Sequence, residues 1–212
     1  MLGKQSKHLL ILSLTGLMVT SVCQASIIYL APPNQSGGSD LNGFLEADDV
    51  TFATGEQLTQ IKFWSFQGSP SDYTGSIAWS IYANTAGLPG ASVASGSATP
   101  TGIATGASAF GLAEYSYAFA VNVLLGPGTY WIGLHNGPTG AIPLTDFFWG
   151  WSDANAGNSQ SRDLALSGSP WTSNFAELAL EVQASPVPEP SSMLLIGAGM
   201  AGLWFVRARQ RN

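Results

Sequence analysis

The chain has 212 residues, of which 45% are hydrophobic and only 9% charged, with 25 glycines; that is material for one domain-sized core under a surface of Ser, Thr, Asn, Gln and Gly. The formal charge of -6 is unevenly spread: Lys4 and Lys7 precede the first apolar run, Arg207, Arg209 and Arg211 follow the last, and residues 26–187 hold 12 acidic against 2 basic side chains. A body so acidic repels DNA, RNA and anionic lipid, which excludes nucleic acid as a partner.

Met1 to His8 is a basic leader, Leu9 to Val22 an apolar run, and Ala25 a small residue a few positions on. These are the three parts of a secretory signal, and they predict a signal peptide over residues 1–25 that the secretion translocon and a signal peptidase handle. The run is shorter than the roughly 20 residues of a bilayer span, which favours removal. A buried first helix is the alternative. Cys23, the only cysteine, falls inside the signal, so the mature chain has no disulfide. Cleavage before a lipidated Cys23 is disfavoured by the bulky Val22.

Residues 26–184 read as an exported all-β domain. Ile77, Trp79 and Ile81 alternate with Ala78, Ser80 and Tyr82; Tyr115, Tyr117, Phe119 and Val121 alternate with Ser116, Ala118 and Ala120. Leu178, Leu180 and Val182 alternate with Glu177, Ala179 and Glu181, and a period of two puts the first set in the core and the acids in solvent. Val50 to Phe52, Leu58 to Trp64 and Thr129 to Leu134 are further strands, and Gly68-Ser-Pro70, Gly87-Leu-Pro-Gly90 and Gly126-Pro-Gly128 are turns between them. The pattern predicts a β-sandwich, jelly-roll-like, with a barrel as the alternative. Ala91 to Ala109, made of small residues, is either a polar loop or a weak edge strand.

The body contains one histidine, His135, and no Gly-x-Ser-x-Gly elbow, so neither a hydrolase triad nor a structural zinc site is legible. His135 reads as a hydrogen-bonded structural residue. Glu46, Asp48, Asp49, Glu114, Glu177 and Glu181 offer many carboxylate pairs for glycoside hydrolysis, with no spacing that singles one out. Asp146, Asp153, Asn155, Asn158 and Asp163 lie in one Gly/Asn-rich segment that is a candidate calcium site, with Asp48 and Asp49 another possible pole and an ordinary hydrated loop with Asx turns as the competing reading; no other cofactor is implied. Trp149 and Trp151 flank a glycine beside that segment, and they are the candidates for stacking on carbohydrate, with core packing as the competing role.

Residues 185–212 form a second addressing segment. Ser185-Pro-Val-Pro-Glu-Pro190 is a stiff spacer, Met193 to Val206 is a charge-free run, and the arginines after it hold that end on the cytoplasmic side. A single short transmembrane helix over 193–206 is expected, about 21 Å long and marginal for a bilayer. Gly197-Ala-Gly-Met-Ala-Gly202 matches a dinucleotide fingerprint, but the chain carries no βαβ unit around it. Its small residues better suit close helix contact in a membrane.

Val187-Pro-Glu-Pro-Ser-Ser192, the apolar run and the arginine cluster resemble the PEP-CTERM sorting signal of Gram-negative bacteria, with Pro188, Glu189 and Pro190 matching its signature. The resemblance implies recognition and cleavage near the motif by a membrane-embedded exosortase, passage through an inner-membrane intermediate, and delivery to the cell surface or the extracellular space. It also implies a structural or adhesive role in exopolysaccharide, biofilm or floc; a non-enzymatic body is the expectation because no catalytic constellation is legible in the residues. The body is similar to passengers of such signals at Asp48 and Asp49, Phe63 and Trp64, Ile81 and Tyr82 with Gly87 to Gly90, Gly128 to Trp131, and Trp149 to Ser152. The expectations of a different class are a secreted glycan hydrolase or lyase, and a calcium- or carbohydrate-binding module without an architectural role.

Overall fold

Side-chain alternation sets the long strands, and their pairing sets two sheets. The computed structural model describes residues 24–154, 158–163 and 169–187. The strands, in order, are β1 (Ser26–Ala31), β2 (Pro33–Asp40), β3 (Phe44–Phe52), β4 (Glu56–Gln67), β5 (Ile77–Thr85), β6 (Leu88–Ala98), β7 (Ile103–Ala109), β8 (Leu112–Leu125) and β9 (Gly128–Asn136). They continue as β10 (Phe147–Ser152), β11 (Gln160–Asp163), β12 (Thr172–Ser173), β13 (Glu177–Leu178) and β14 (Leu180–Pro186). The signal over residues 1–23, the motif Pro188, Glu189 and Pro190, the run 193–206 and Arg207, Arg209 and Arg211 lie outside the described residues, as does Asn155.

One sheet runs β12-β11-β3-β9-β5-β6. The other is centred on β4, whose one edge pairs with β8 along its whole length while its other edge pairs first with β14 and then, from Ser65 to Gln67, with β10. β7 extends this sheet beyond β8, β1 beyond β14 and β2 beyond β10. β2 and β7 approach each other without a hydrogen-bonded ladder, so the sheet curls like a half-barrel. Glu114 ties the approach together, accepting from Gln35 Nε2 on β2 and from Thr105 Oγ1 on β7, each at 2.7 Å.

A single apolar layer lies between the sheets. Leu58, Ile61, Phe63, Tyr117, Phe119 and Trp149 come from the curled sheet, and Val50, Ile77, Ile81, Ile132 and Leu134 from the other. The inward sets of β5 and β8 follow the predicted alternation, with Ile77, Ile81, Tyr117, Phe119 and Val121 buried and Trp79 and Tyr115 partly buried against the core. The outward set of β13 and β14 is not: Glu177, Ala179 and Glu181 are all buried. β14 is covered on both edges by β1 and β4, and Glu181 is compensated on the outer face by Lys62 at 3.4 Å, itself 4.5 Å from the Trp64 ring. Of the two readings of residues 91–109, the edge strand holds, as β6 ends one sheet and β7 the other.

Candidate functional site

The register of β3 that sends Val50 and Phe52 inward sends Glu46 and Asp48 the same way, so two carboxyl groups are buried at one end of the apolar layer. Asp48 Oδ2 accepts the Leu178 N–H at 2.6 Å, a bond from one sheet to the other, and Oδ1 accepts the Asp49 N–H at 2.9 Å. Burial, and after it the neighbouring Glu177 carboxyl, holds the Asp48 proton well above the usual carboxylate range. Glu177 accepts from the Tyr29 hydroxyl.

Glu46 is pushed up from 4.5 to about 8. Burial is the main cause; hydrogen bonds from Ser161 and Asn174 oppose it, and the Asp40 carboxyl adds to it. Glu46 is therefore largely protonated at neutral pH.

Trp151 stands beside these acids. Its Nε1 donates to Ser39 Oγ at 3.0 Å, and its six-membered ring lies on Gly37 of β2. With Asn174 it forms the wall between two adjoining depressions of about 320 and 330 Å³. The first is lined further by Asn34, Ser36, Asp153, Phe175 and Glu177. The second is lined by Asp40, Phe44, Glu46, Ser161 and Thr172. Phe175 is 85% exposed and held at φ 55°, the left-handed region that side chains other than Gly rarely adopt. An exposed aromatic on strained backbone next to a half-buried tryptophan gives the first depression two apolar faces among amides, hydroxyls and carboxyls.

The other tryptophan of the pair is a core residue. Trp149 is 0% exposed, donates from Nε1 to Ala179 O at 2.8 Å and meets Phe63 edge-on, so it presents no face to a ligand. Among the described residues the calcium candidates are not brought together. Asp146 and Asp153 sit at opposite ends of β10, about 20 Å apart along a strand, and Asp163 lies in the other sheet, opposite Phe44. Asp153 accepts from Asn34 Nδ2, and Asn158 donates to Asp49.

His135 has the structural place expected of it: both ring nitrogens lie within 3.0 Å of backbone carbonyls, Nδ1 at Gly137 and Nε2 at Asn42. The residues that sequence reasoning missed are Phe175 and Asn174, and the grouping of Glu46 with Asp40. Nothing in Ser-Asn-Phe-Ala foretells a left-handed phenylalanine, and Glu46 in Leu-Glu-Ala-Asp carries an ordinary solvent-facing pattern.

No curated protein matches the chain significantly. Residues 186–210 match the PEP-CTERM protein-sorting motif. The match begins at Pro186, the last residue of β14. The chain therefore carries the PEP-CTERM sorting signal, the mark of an exosortase substrate.

Proposed function

We propose that the folded part of this chain is a glycan-contacting module, structural or adhesive in extracellular polysaccharide and not catalytic, delivered by its sorting motif. The observation that carries the reading is the pairing of half-buried Trp151 with exposed Phe175 in one depression rimmed by Asn34, Asn174 and Ser36. Aromatic faces stack on the C–H faces of sugar rings, and amides and hydroxyls around them satisfy ring hydroxyls. The delivery route has the signal peptide removed at Ala25 after passage through the translocon. Residues 193–206 then form the inner-membrane intermediate, with Arg207, Arg209 and Arg211 on the cytoplasmic side, and exosortase reads Pro188, Glu189 and Pro190. A jelly-roll-like arrangement of the two sheets belongs to the same reading.

Retention of the secreted protein in a gel of the producer's polysaccharide tests this. Trp151→Ala and Phe175→Ala should each release it with an unchanged circular dichroism spectrum; retention by both variants sinks the reading.

A hydrolase is the second reading, favoured by one observation: Glu46, protonated up to about pH 8, shares a depression with Asp40. A neutral acid beside a carboxylate is the pair that glycoside hydrolysis uses. Release of reducing ends from the native polysaccharide, lost in Glu46→Gln, would establish it; an unchanged polymer length would dismiss it.

A further inference from the structure

We infer that the Trp151 groove selects polysaccharide bearing cationic amino sugars, that is, hexosamine units whose nitrogen is a free ammonium group. The inference rests on the glycan-contact reading and narrows it.

Charge distribution carries the argument. Asp153 and Glu177 line the first depression and Asp40 the second, where Glu46, largely protonated at neutral pH, adds a hydrogen-bonding carboxyl and no full charge. No Lys, Arg or His lines either one among the described residues. The two cations between residues 26 and 187 are held elsewhere. Lys62 is engaged with Glu181 and the Trp64 ring on the curled sheet. Arg162 is next in sequence to Ser161, whose hydroxyl points inward to Glu46, so strand alternation turns Arg162 to the outer face.

Three classes of glycan meet this surface differently. A uronate or sulfated polymer would bring its anions against carboxylates with no intervening cation, a like-charge contact that opposes binding. A neutral polymer would cover carboxylates and strip their water while returning only hydroxyl contacts. An ammonium group pays that desolvation back through charge-assisted hydrogen bonds, which are shorter and stronger than neutral ones. The aromatic wall favours the same ligand, since a cation near the face of Trp151 or Phe175 is attracted by the ring quadrupole. A sugar ring stacked on Trp151 reaches carboxyl groups on both sides, because Trp151 is the wall that the two depressions share.

Calorimetry on the protein as it is secreted provides the test, with three oligosaccharides of equal length: a de-N-acetylated β-1,4-glucosamine oligomer, its N-acetylated counterpart and an oligouronate. Near pH 6 the free amines are charged. The glucosamine oligomer should bind at least about tenfold more tightly than the N-acetylated one, and the oligouronate should not bind. The preference should shrink several-fold as salt rises from about 0.05 to about 0.5 M, and Asp153→Asn should reduce it with the fold unchanged. Equal or tighter binding of the N-acetylated oligomer or the uronate overturns the inference and leaves the glycan-contact reading standing. Binding of none of the three, with no retention in the native polysaccharide, overturns both. Glucosamine binding that survives Trp151→Ala and Phe175→Ala would mark mere adsorption to an acidic protein and also overturns the inference.

Discussion

The six-membered ring of Trp151 fills the place that a side chain on Gly37 would need: a Cβ there would lie 2.2 Å from Trp151 Cε3 and 2.4 Å from Cζ3. Gly37 does not sit at a positive φ, and the three atoms nearest to that Cβ all belong to the indole, so the conflict in Gly37→Ala is with Trp151. The substitution should expel Trp151 from the groove wall and destabilise the fold by about 1–3 kcal/mol, the usual range for overpacking. Adding Trp151→Ala should recover much of that loss, and a double-mutant cycle in urea measures the coupling. Additive losses would show that the ring is not held by Gly37.

Phe175 gives a prediction with two readouts of different sign. Its φ of 55° costs a side-chain-bearing residue about 1–2 kcal/mol, and glycine adopts that angle freely. Because the ring is 85% exposed, little packing is lost on removing it. Phe175→Gly should therefore leave thermal stability unchanged or raise it by up to about 1 kcal/mol, while polysaccharide retention falls. A clear loss of stability would place the ring in a packing role.

How far the fold could be read from sequence depended on side-chain contrast. β5 and β8 were legible because Ile, Trp, Tyr and Phe alternate with small residues on strands with one covered face. β6 and β7 were ambiguous because Ala, Ser, Gly and Thr do not differ enough in size or polarity to show a period. β2, Pro-Asn-Gln-Ser-Gly-Gly-Ser-Asp, is composed of turn formers and was missed entirely; it is a strand because β10 offers it a ladder from Asp40 to Pro33. The site was half legible for a related reason. Trp149 and Trp151 read alike in the sequence and both fall on β10, but only tertiary packing decides that Trp149 meets Ala179 and Phe63 in the core while Trp151 lines the groove.

Asn136 makes a structural prediction away from the groove. Its Nδ2 donates to Asn42 Oδ1 at 2.9 Å and to Asp72 O at 2.8 Å, and its Oδ1 accepts from Thr74 N and Thr74 Oγ1, each at 3.0 Å. One buried amide thus joins the β2–β3 turn, the 3-10 turn Pro70–Asp72 and the end of β9. Asn136→Ala leaves buried partners unsatisfied and should cost about 3 kcal/mol in denaturant unfolding, with glycan binding per folded molecule unchanged. A cost under about 1 kcal/mol would show that water replaces the amide.

The buried acids fix the pH dependence of stability, and its sign follows from Glu46. Folding raises this carboxyl from 4.5 to about 8, so across that window the folded chain keeps a proton that the unfolded chain releases. Stability from this group is greatest below the window, falls as pH rises through it and is level above it. A shift of that size corresponds to at most about 5 kcal/mol, an upper bound because the groove admits water. Asp48, raised by burial and then by Glu177, acts in the same direction. Urea midpoints should therefore fall between about pH 5 and about pH 9. Glu46→Gln, which stays neutral at every pH and can still accept from Ser161, should flatten that fall and make the variant more stable than the parent at the alkaline end. Asp48→Asn should do likewise, retaining a side-chain oxygen for the Leu178 N–H, whereas Asp48→Ala loses that bond between the sheets and should be destabilised at both pH values. A midpoint that rises with pH in the parent protein, or one that Glu46→Gln leaves just as steep, would mean that the proton is not held where the groove meets the core.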